Sequence, residues 1–282
     1  MNTNLELLKS VLSLKSSPGR EDEVIDFIVD YCERRQYQYT KDSLGNILVT
    51  KGKPTEGEYY GLLCCHTDTV HNYQPGEKKN IIVEDDIMYS VNDYGVPNGI
   101  GADDLAGVVM CIMIMDRLDV IKVGFYVEEE TGAHGVHHSC VVNKDWYSDI
   151  GWGMEFDSPA HQFTMISSGL RLFTEEFWNV IKGPINQNYG NNIKGMKHPY
   201  SNVYYLKKYF DFCLINWTVG YVDYHTNREK LIISEFIKSY RTALIMIEKL
   251  GNKKYYMEPQ EPELAIDSWC DWEVELEEIY KN

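Results

Sequence analysis

The sequence contains no tract of clustered Lys and Arg, no cysteine pair at CxxC spacing, no apolar run long enough to span a bilayer, and no internal repeat. Each absence removes a class of function. Nucleic acid is bound by clustered cations that release phosphate counterions, and here 43 acidic residues outweigh 27 basic ones for a formal net charge of −16. That balance excludes a nucleic-acid partner. The seven cysteines, Cys32, Cys64, Cys65, Cys111, Cys140, Cys213 and Cys270, are odd in number and scattered. They form neither a disulfide framework nor a thiolate zinc knot, and a reducing cytoplasm is the expected setting. Met1-Asn2-Thr3-Asn4 leads into an amphipathic helix rather than a charged region followed by an apolar stretch, so no secretory leader is expected. A bilayer needs roughly 20 consecutive apolar residues, which excludes a membrane-spanning helix. The chain therefore reads as soluble, with no membrane partner.

At 282 residues the chain exceeds the usual domain size. Even so, α/β domains often reach this length as one unit, and a single domain over residues 1–282 is expected. Apolar residues recur at helical spacing from Leu5 to Leu14 and from Glu21 to Tyr31, with Ser17-Pro18-Gly19 between, so two helices should open the fold. A turn at Ser43-Leu44-Gly45-Asn46 precedes a strand from Ile47 to Val49, and Tyr59 to Cys65 reads as a buried strand. Ile81 to Val83 and Ile87 to Ser90 flank Asp85-Asp86 as a hairpin, followed by a Gly/Asn/Pro-rich loop from Asn92 to Gly101.

A helix is expected from Leu105 to about Met115, then buried strands from Lys122 to Val127, Ile150 to Phe156 and Phe212 to Thr218. Helices are expected near Phe173 to Lys182, Val203 to Phe210 and Ser234 to Leu250. The stretch from Lys182 to His198, rich in Gly and Asn, reads as a loop, and the tail is acidic and aromatic. Strands alternating with helices indicate an α/β fold, a three-layer sandwich with a mixed, largely parallel central sheet.

In open α/β sheets, ligands bind beyond the carboxyl ends of the strands. Five such places carry acids or imidazoles: His66-Thr67-Asp68, Asp103-Asp104, Glu129-Glu130, Asp157 and His225. Taken singly, each has a plain structural reading, such as an N-cap for Asp103 or a solvated face for the glutamates. Together they meet one chemical demand, oxygen and nitrogen ligands for borderline cations in a shared cavity.

The ordered set His66-Thr67-Asp68, Gly101-Ala102-Asp103-Asp104-Leu105-Ala106-Gly107, Glu129-Glu130-Thr131-Gly132, Asp157 and Tyr224-His225-Thr226 resembles the signature of the two-zinc exopeptidases. That superfamily contains bacterial leucine aminopeptidase, peptidase T and carboxypeptidase G. Ser17-Pro18-Gly19 before Glu23, and Leu44-Gly45-Asn46 before a strand, resemble its amino-terminal pattern. The resemblance runs from residue 5 to about residue 250.

It implies two Zn²⁺ per chain, with Co²⁺ or Mn²⁺ as substitutes. His66 and Asp157 would hold the first ion and Glu130 and His225 the second, with Asp103 bridging both and joined to Asp104 by a cis peptide bond. Asp68 would fix the orientation of the His66 ring, and Glu129 would be the general base for a water activated between the ions. The implied activity is an exopeptidase on short peptides, an aminopeptidase foremost.

Several alternatives stay open at this level. A one-residue shift among Glu128, Glu129 and Glu130 would exchange base and ligand, although Thr131-Gly132 favours the order given. Glu155 shares a strand face with Asp157 and is the fallback ligand. Tyr221 or Tyr224 is a further candidate donor to the reacting oxygen, and Arg171 and Arg228 are candidate carboxylate clamps. His71, His134, His137, His138 and His161 read as ordinary loop histidines.

Only Ser158 to Tyr224 separates Asp157 from His225, too little for the inserted lid domain of many relatives, so no separate lid domain is expected. A metal-dependent amidase or deacylase of N-acyl amino acids, a carboxypeptidase and a non-catalytic binding protein are the competing readings. The number of chains in the assembly is open, a homo-oligomer included.

Overall fold

The computed structural model describes residues 2–74, 76–198 and 201–260. Most of the acidic, aromatic tail lies outside the described residues.

Two helices open the chain, α1 (Asn2–Leu12) and α2 (Asp22–Arg35). In α2, Val24, Ile25, Ile28 and Cys32 form the buried stripe expected of an amphipathic helix, and the helix stops where Gln36 turns left-handed. Strands β1 (Gln38–Lys41), β2 (Ile47–Lys51) and β3 (Tyr60–His66) follow, then the hairpin β4 (Asn80–Glu84) and β5 (Ile87–Val91). Next come α3 (Ala102–Arg117), β6 (Ile121–Tyr126), α4 (His134–Val142) and β7 (Ile150–Ser158). After them lie β8 (Gln162–Ser167), β9 (Leu170–Arg171), α5 (Glu175–Tyr189), β10 (Lys194–His198) and α6 (Asn202–Tyr209). The described chain closes with β11 (Cys213–Thr218), β12 (Tyr221–Val222), β13 (Lys230–Ile232) and α7 (Ile233–Leu250).

Nine strands form the central sheet in the order β1-β2-β6-β3-β7-β11-β8-β10, with β9 added to β8. The inner four, β6, β3, β7 and β11, are parallel. Every residue of β3, β6 and β11 is buried, as expected of parallel strands covered on both faces. Neighbouring cysteines show the two faces, because successive side chains on a strand point opposite ways. The Cys65 thiol faces the free thiol of Cys111 on α3. Cys64 turns the other way, toward Glu155, whose carboxylate binds the amino end of α6. Helix α3 lies along β3 and β7 with α1 beside it, α5 packs on α7, and α4 packs on α6. The result is an α/β sandwich of three layers. Among the described residues, no helix is long and apolar enough to cross a membrane.

A second, antiparallel sheet of four strands, β12-β13-β5-β4, joins the expected hairpin to segments far along the chain. Its β13–β5 pairing matches Leu231 with Met88, a separation that no local pattern announces.

Two expectations need correction. The stretch from Lys182 to His198 is not a loop, since α5 continues through Pro184 to Tyr189, and β10 pairs parallel with β8. Burial explains the first half. Ile181, Ile185 and Tyr189 lie on one helical stripe in the core, and packing of that stripe outweighs the poor propensity of Gly183-Pro184. Asp157, expected just past a strand, lies inside β7, which runs on to Ser158.

Candidate metal centre

The site lies at the carboxyl ends of β3 and β6, beside the end of β7 and the amino end of α3. His66 is the last residue of β3, and its backbone amide donates to Asp104 Oδ2 at 3.1 Å. Its ring Nδ1 lies 3.0 Å from the carbonyl oxygen of Asp68 and 3.3 Å from Asp68 Oδ1. A carbonyl only accepts, so Nδ1 carries a proton and Nε2 is the ring atom that faces the cavity, where a cation would take its lone pair.

The Asp68 carboxylate has a second task. It accepts the amides of Glu129 at 2.9 Å and Glu130 at 3.0 Å, which ties the loop after β6 to the loop after β3. Asn46 braces the same loop by accepting the Val127 amide and donating to the Gly135 carbonyl. No side chain fits at Gly135, where a Cβ would stand 2.2 Å from the Val127 carbonyl oxygen. The Asp103–Asp104 peptide is cis.

Asp103 divides its two oxygens. Oδ1 lies 3.3 Å from His66 Nε2, which is itself 3.5 Å from Asp157 Oδ1. Oδ2 lies 3.2 Å from His225 Nε2, which is also 3.2 Å from Glu130 Oε2. Two triads able to hold a cation therefore share one carboxylate, His66 with Asp103 and Asp157, and Asp103 with Glu130 and His225. Glu129 Oε2 stands 4.0 Å from His66 Nε2. His225 comes from the smaller sheet rather than directly from β11, in the loop after β12, at a left-handed φ of 58°.

Crowding of like charge perturbs the whole group. Burial raises Glu129, Glu130 and Asp157 above the usual carboxylate range, and neighbouring acids add to the rise. The same burial acts on Asp103, but hydrogen bonds from His225 and His66 overcome it and hold this carboxyl well below its ordinary value. Hydrogen bonding to Asp103 and Glu130 pushes His225 up to about 10. Burial alone would lower His66, yet Asp103, Asp157 and Asp68 more than reverse it.

These residues fit a pair of zinc-like cations. A tetrahedral shell with bonds of about 2.0–2.2 Å has edges of roughly 3.3–3.6 Å, close to the spacing of the facing nitrogen and oxygen atoms. Glu130 Oε1 is buried without a hydrogen-bond partner. A buried carboxylate oxygen left in this way is costly, and a cation would satisfy it. Imidazole and carboxylate together suit zinc, with cobalt or manganese as alternatives.

The remaining sequence candidates stand outside the two triads. Glu155 accepts from the Ser201 hydroxyl and from the Asn202 backbone and side-chain nitrogens, so its oxygens face α6 rather than the cavity. Tyr221 donates to the Asp157 carbonyl at 3.0 Å, and Tyr224 stacks edge-on against Tyr221 and His225. His137 stacks on Tyr205, His138 meets the Ser43 hydroxyl, and His161 lies 3.8 Å from Glu235. Arg228 lines a groove of about 670 Å³ beside the smaller sheet, and the Arg171 amide donates to Gln260.

Sequence reasoning passed over two acids. Glu229 is buried against the Gly101–Asp103 segment, four residues after His225. Glu21, rather than Glu23, reaches the site's edge by accepting the Glu128 amide at 3.0 Å. Only its short spacing from His225 could have marked Glu229. Glu21 carried no signal.

No sequence-family model matches the chain, and no curated protein matches it in sequence. Solved structures do. The aminopeptidase PepT of Bacillus cereus is similar at a TM-score of 0.66 and 13% identity, over 88% of this chain and 98% of that one. The chain shares the fold of these solved peptidases. A tripeptidase of Staphylococcus aureus is similar at 0.64 and 13%, over 87% and 97% of the two chains. A TET aminopeptidase of a marine-sediment Thaumarchaeota archaeon is similar at 0.67 and 10%, over 88% and 97%. At these identities the likeness is one of fold, so activity has to come from the residues of the site.

Proposed function

We propose that this chain is a metal-dependent exopeptidase that trims short peptides from the amino end and works with two zinc ions. The observation that carries this reading is the division of Asp103, with one oxygen toward His66 and Asp157 and the other toward Glu130 and His225. A structural ion pair needs no such sharing, whereas two adjacent cations do.

His66, Asp103 and Asp157 would hold one ion, and Asp103, Glu130 and His225 the other. When bound, such ions acidify water and polarise a carbonyl. Glu129 takes the proton from the attacking water and returns it to the leaving amine, a role supported by its place beside the triads and by its being a member of neither. Asp68 orients both halves, His66 through its ring and Glu129 with Glu130 through their amides.

The preference for the amino end rests on the names of the structural neighbours, two aminopeptidases and a tripeptidase. One catalytic unit without a separate lid is supported by the segment between Asp157 and His225, which supplies β8 to β11 of the central sheet with α5 and α6. Among the described residues, six cysteines are buried free thiols, which supports a reducing compartment such as the cytoplasm.

The test is a panel of amino-acid p-nitroanilides, N-acyl amino acids and short peptides, assayed with metal content determined on the same sample. Amino-terminal cleavage at about two ions per chain is the expected result. Preferential cleavage of N-acyl amino acids would replace the reading with a deacylase. Two ions per chain with no amide hydrolysed would replace it with a binding protein.

A further inference from the structure

Glu229 is 1% exposed and belongs to neither ligand triad. Its carboxylate nevertheless accepts three short bonds. Oε1 takes the Asp103 amide at 2.8 Å, and Oε2 takes the Gly101 amide and His71 Nε2, both at 2.7 Å. The two amides belong to the turn that presents Asp103.

The backbone of Glu229 belongs to the other half of the site. Its amide donates to the Thr226 carbonyl at 3.0 Å, and the Thr226 hydroxyl donates to the Asp223 carbonyl at 2.6 Å. These bonds fold the loop that carries His225. A parallel tie, from the Gly99 amide to the Asn227 carbonyl at 3.1 Å, joins the same two segments. The His71 ring also completes the joint. It packs so close to Gly99 that a Cβ there would stand 2.2 Å from the ring. His225 is itself half exposed on a left-handed backbone, so its distance from Asp103 depends on how its loop is anchored.

We propose that Glu229 is a positioning residue that sets the separation of Asp103 from His225, and thereby the affinity of the cation pocket formed by Asp103, Glu130 and His225. The inference rests on the two-cation reading above. A carboxylate outside the ligand set that fixes ligand geometry typically changes metal affinity by roughly 10- to 100-fold when altered. Glu229→Gln is the sharpest probe. It is nearly isosteric, but it presents an NH₂ where two amides and an imidazole need acceptors.

The experiment titrates metal-free protein with Zn²⁺ by calorimetry, and with Co²⁺ by visible absorption. His225→Ala identifies which binding event belongs to the Asp103–Glu130–His225 pocket. In Glu229→Gln that event should weaken by roughly 10- to 100-fold, while the other stays within about threefold of the unaltered protein. Glu229→Asp, which keeps the charge but withdraws both oxygens by a methylene, should show the same selective loss. Equal weakening of both events, no weakening, or failure of both variants to fold would assign Glu229 to general stability and overturn the proposal. If the unaltered protein takes up no pair of cations, the two-cation reading falls first, before any substitution is made.

Discussion

Glu155 and Asp157 stand two residues apart on β7, both as buried carboxylates, and their surroundings are opposite. Glu155 receives the Ser201 hydroxyl at 2.9 Å and Asn202 nitrogens at 2.7 and 3.1 Å, all from the amino end of α6. Asp157 receives only long contacts, 3.4 Å from the Asn216 amide group and 3.3 Å from the Tyr221 hydroxyl, and its open side faces His66. A buried acid surrounded by donors is already neutral in its hydrogen-bond account and serves the fold. An acid that faces another acid across an imidazole is arranged for a cation. By this criterion Glu229, whose oxygens are filled by donors, is no cation ligand, while Asp103 and Glu130 belong with Asp157.

The comparison can be tested from both sides. The largest expected effect is at Glu129, where Glu129→Gln should lower kcat on an amino-acid p-nitroanilide by roughly 10²- to 10⁴-fold with metal content unchanged. Full activity in that variant would remove the general base from the mechanism.

Asp157→Asn should cost one ion per chain, read by atomic absorption, and leave the melting temperature of the metal-free protein unchanged or higher, because it relieves like-charge crowding. Glu155→Gln should do the reverse. Its amide group would meet the α6 donors and lower stability by about 1–3 kcal/mol in denaturant unfolding, with metal content kept. If the two outcomes were exchanged, the distinction between the two acids would fail. Chelation should lower the melting temperature of the unaltered protein more than that of Asp157→Asn, since bound ions stabilise only the folded state.

The smallest effect concerns Glu21, which burial, and then the Asp68 charge, push up to about 8. The folded state thus holds this proton more tightly than the unfolded chain does. Its contribution to stability is full below the ordinary carboxylate pKa and is lost as pH rises through about 8. Glu21→Gln mimics the protonated form. Its melting temperature should fall less than that of the unaltered protein between pH 5 and pH 8, and equal slopes would assign the proton elsewhere.

Much of the sheet was legible because its inner strands are continuous apolar runs, Tyr60–His66 and Ile121–Tyr126 among them, each ending in a polar cluster. Helix α5 past Lys182 and strand β10 were not legible, since Gly183-Pro184 and the Asn-rich turn imitate a loop when burial is unknown. The ligand candidates could be named from residue type and order, including the preference for Asp157 over Glu155. In sequence only its place at the strand end sets Asp157 apart, whereas the structure separates the two by their hydrogen-bond partners.

Sequence alone determined which chemistry was available, because imidazoles and carboxylates at the ends of buried strands are local facts of composition and periodicity. It also determined the parallel core, since hydrophobicity on both faces of a strand needs no knowledge of partners. Only the tertiary structure decided that Asp103 is shared, that Asp68 joins two loops, and that Glu229 reaches back across more than a hundred residues to hold Asp103. Those are relations between atoms brought together by sheet pairing and loop closure. No window along the chain contains both partners.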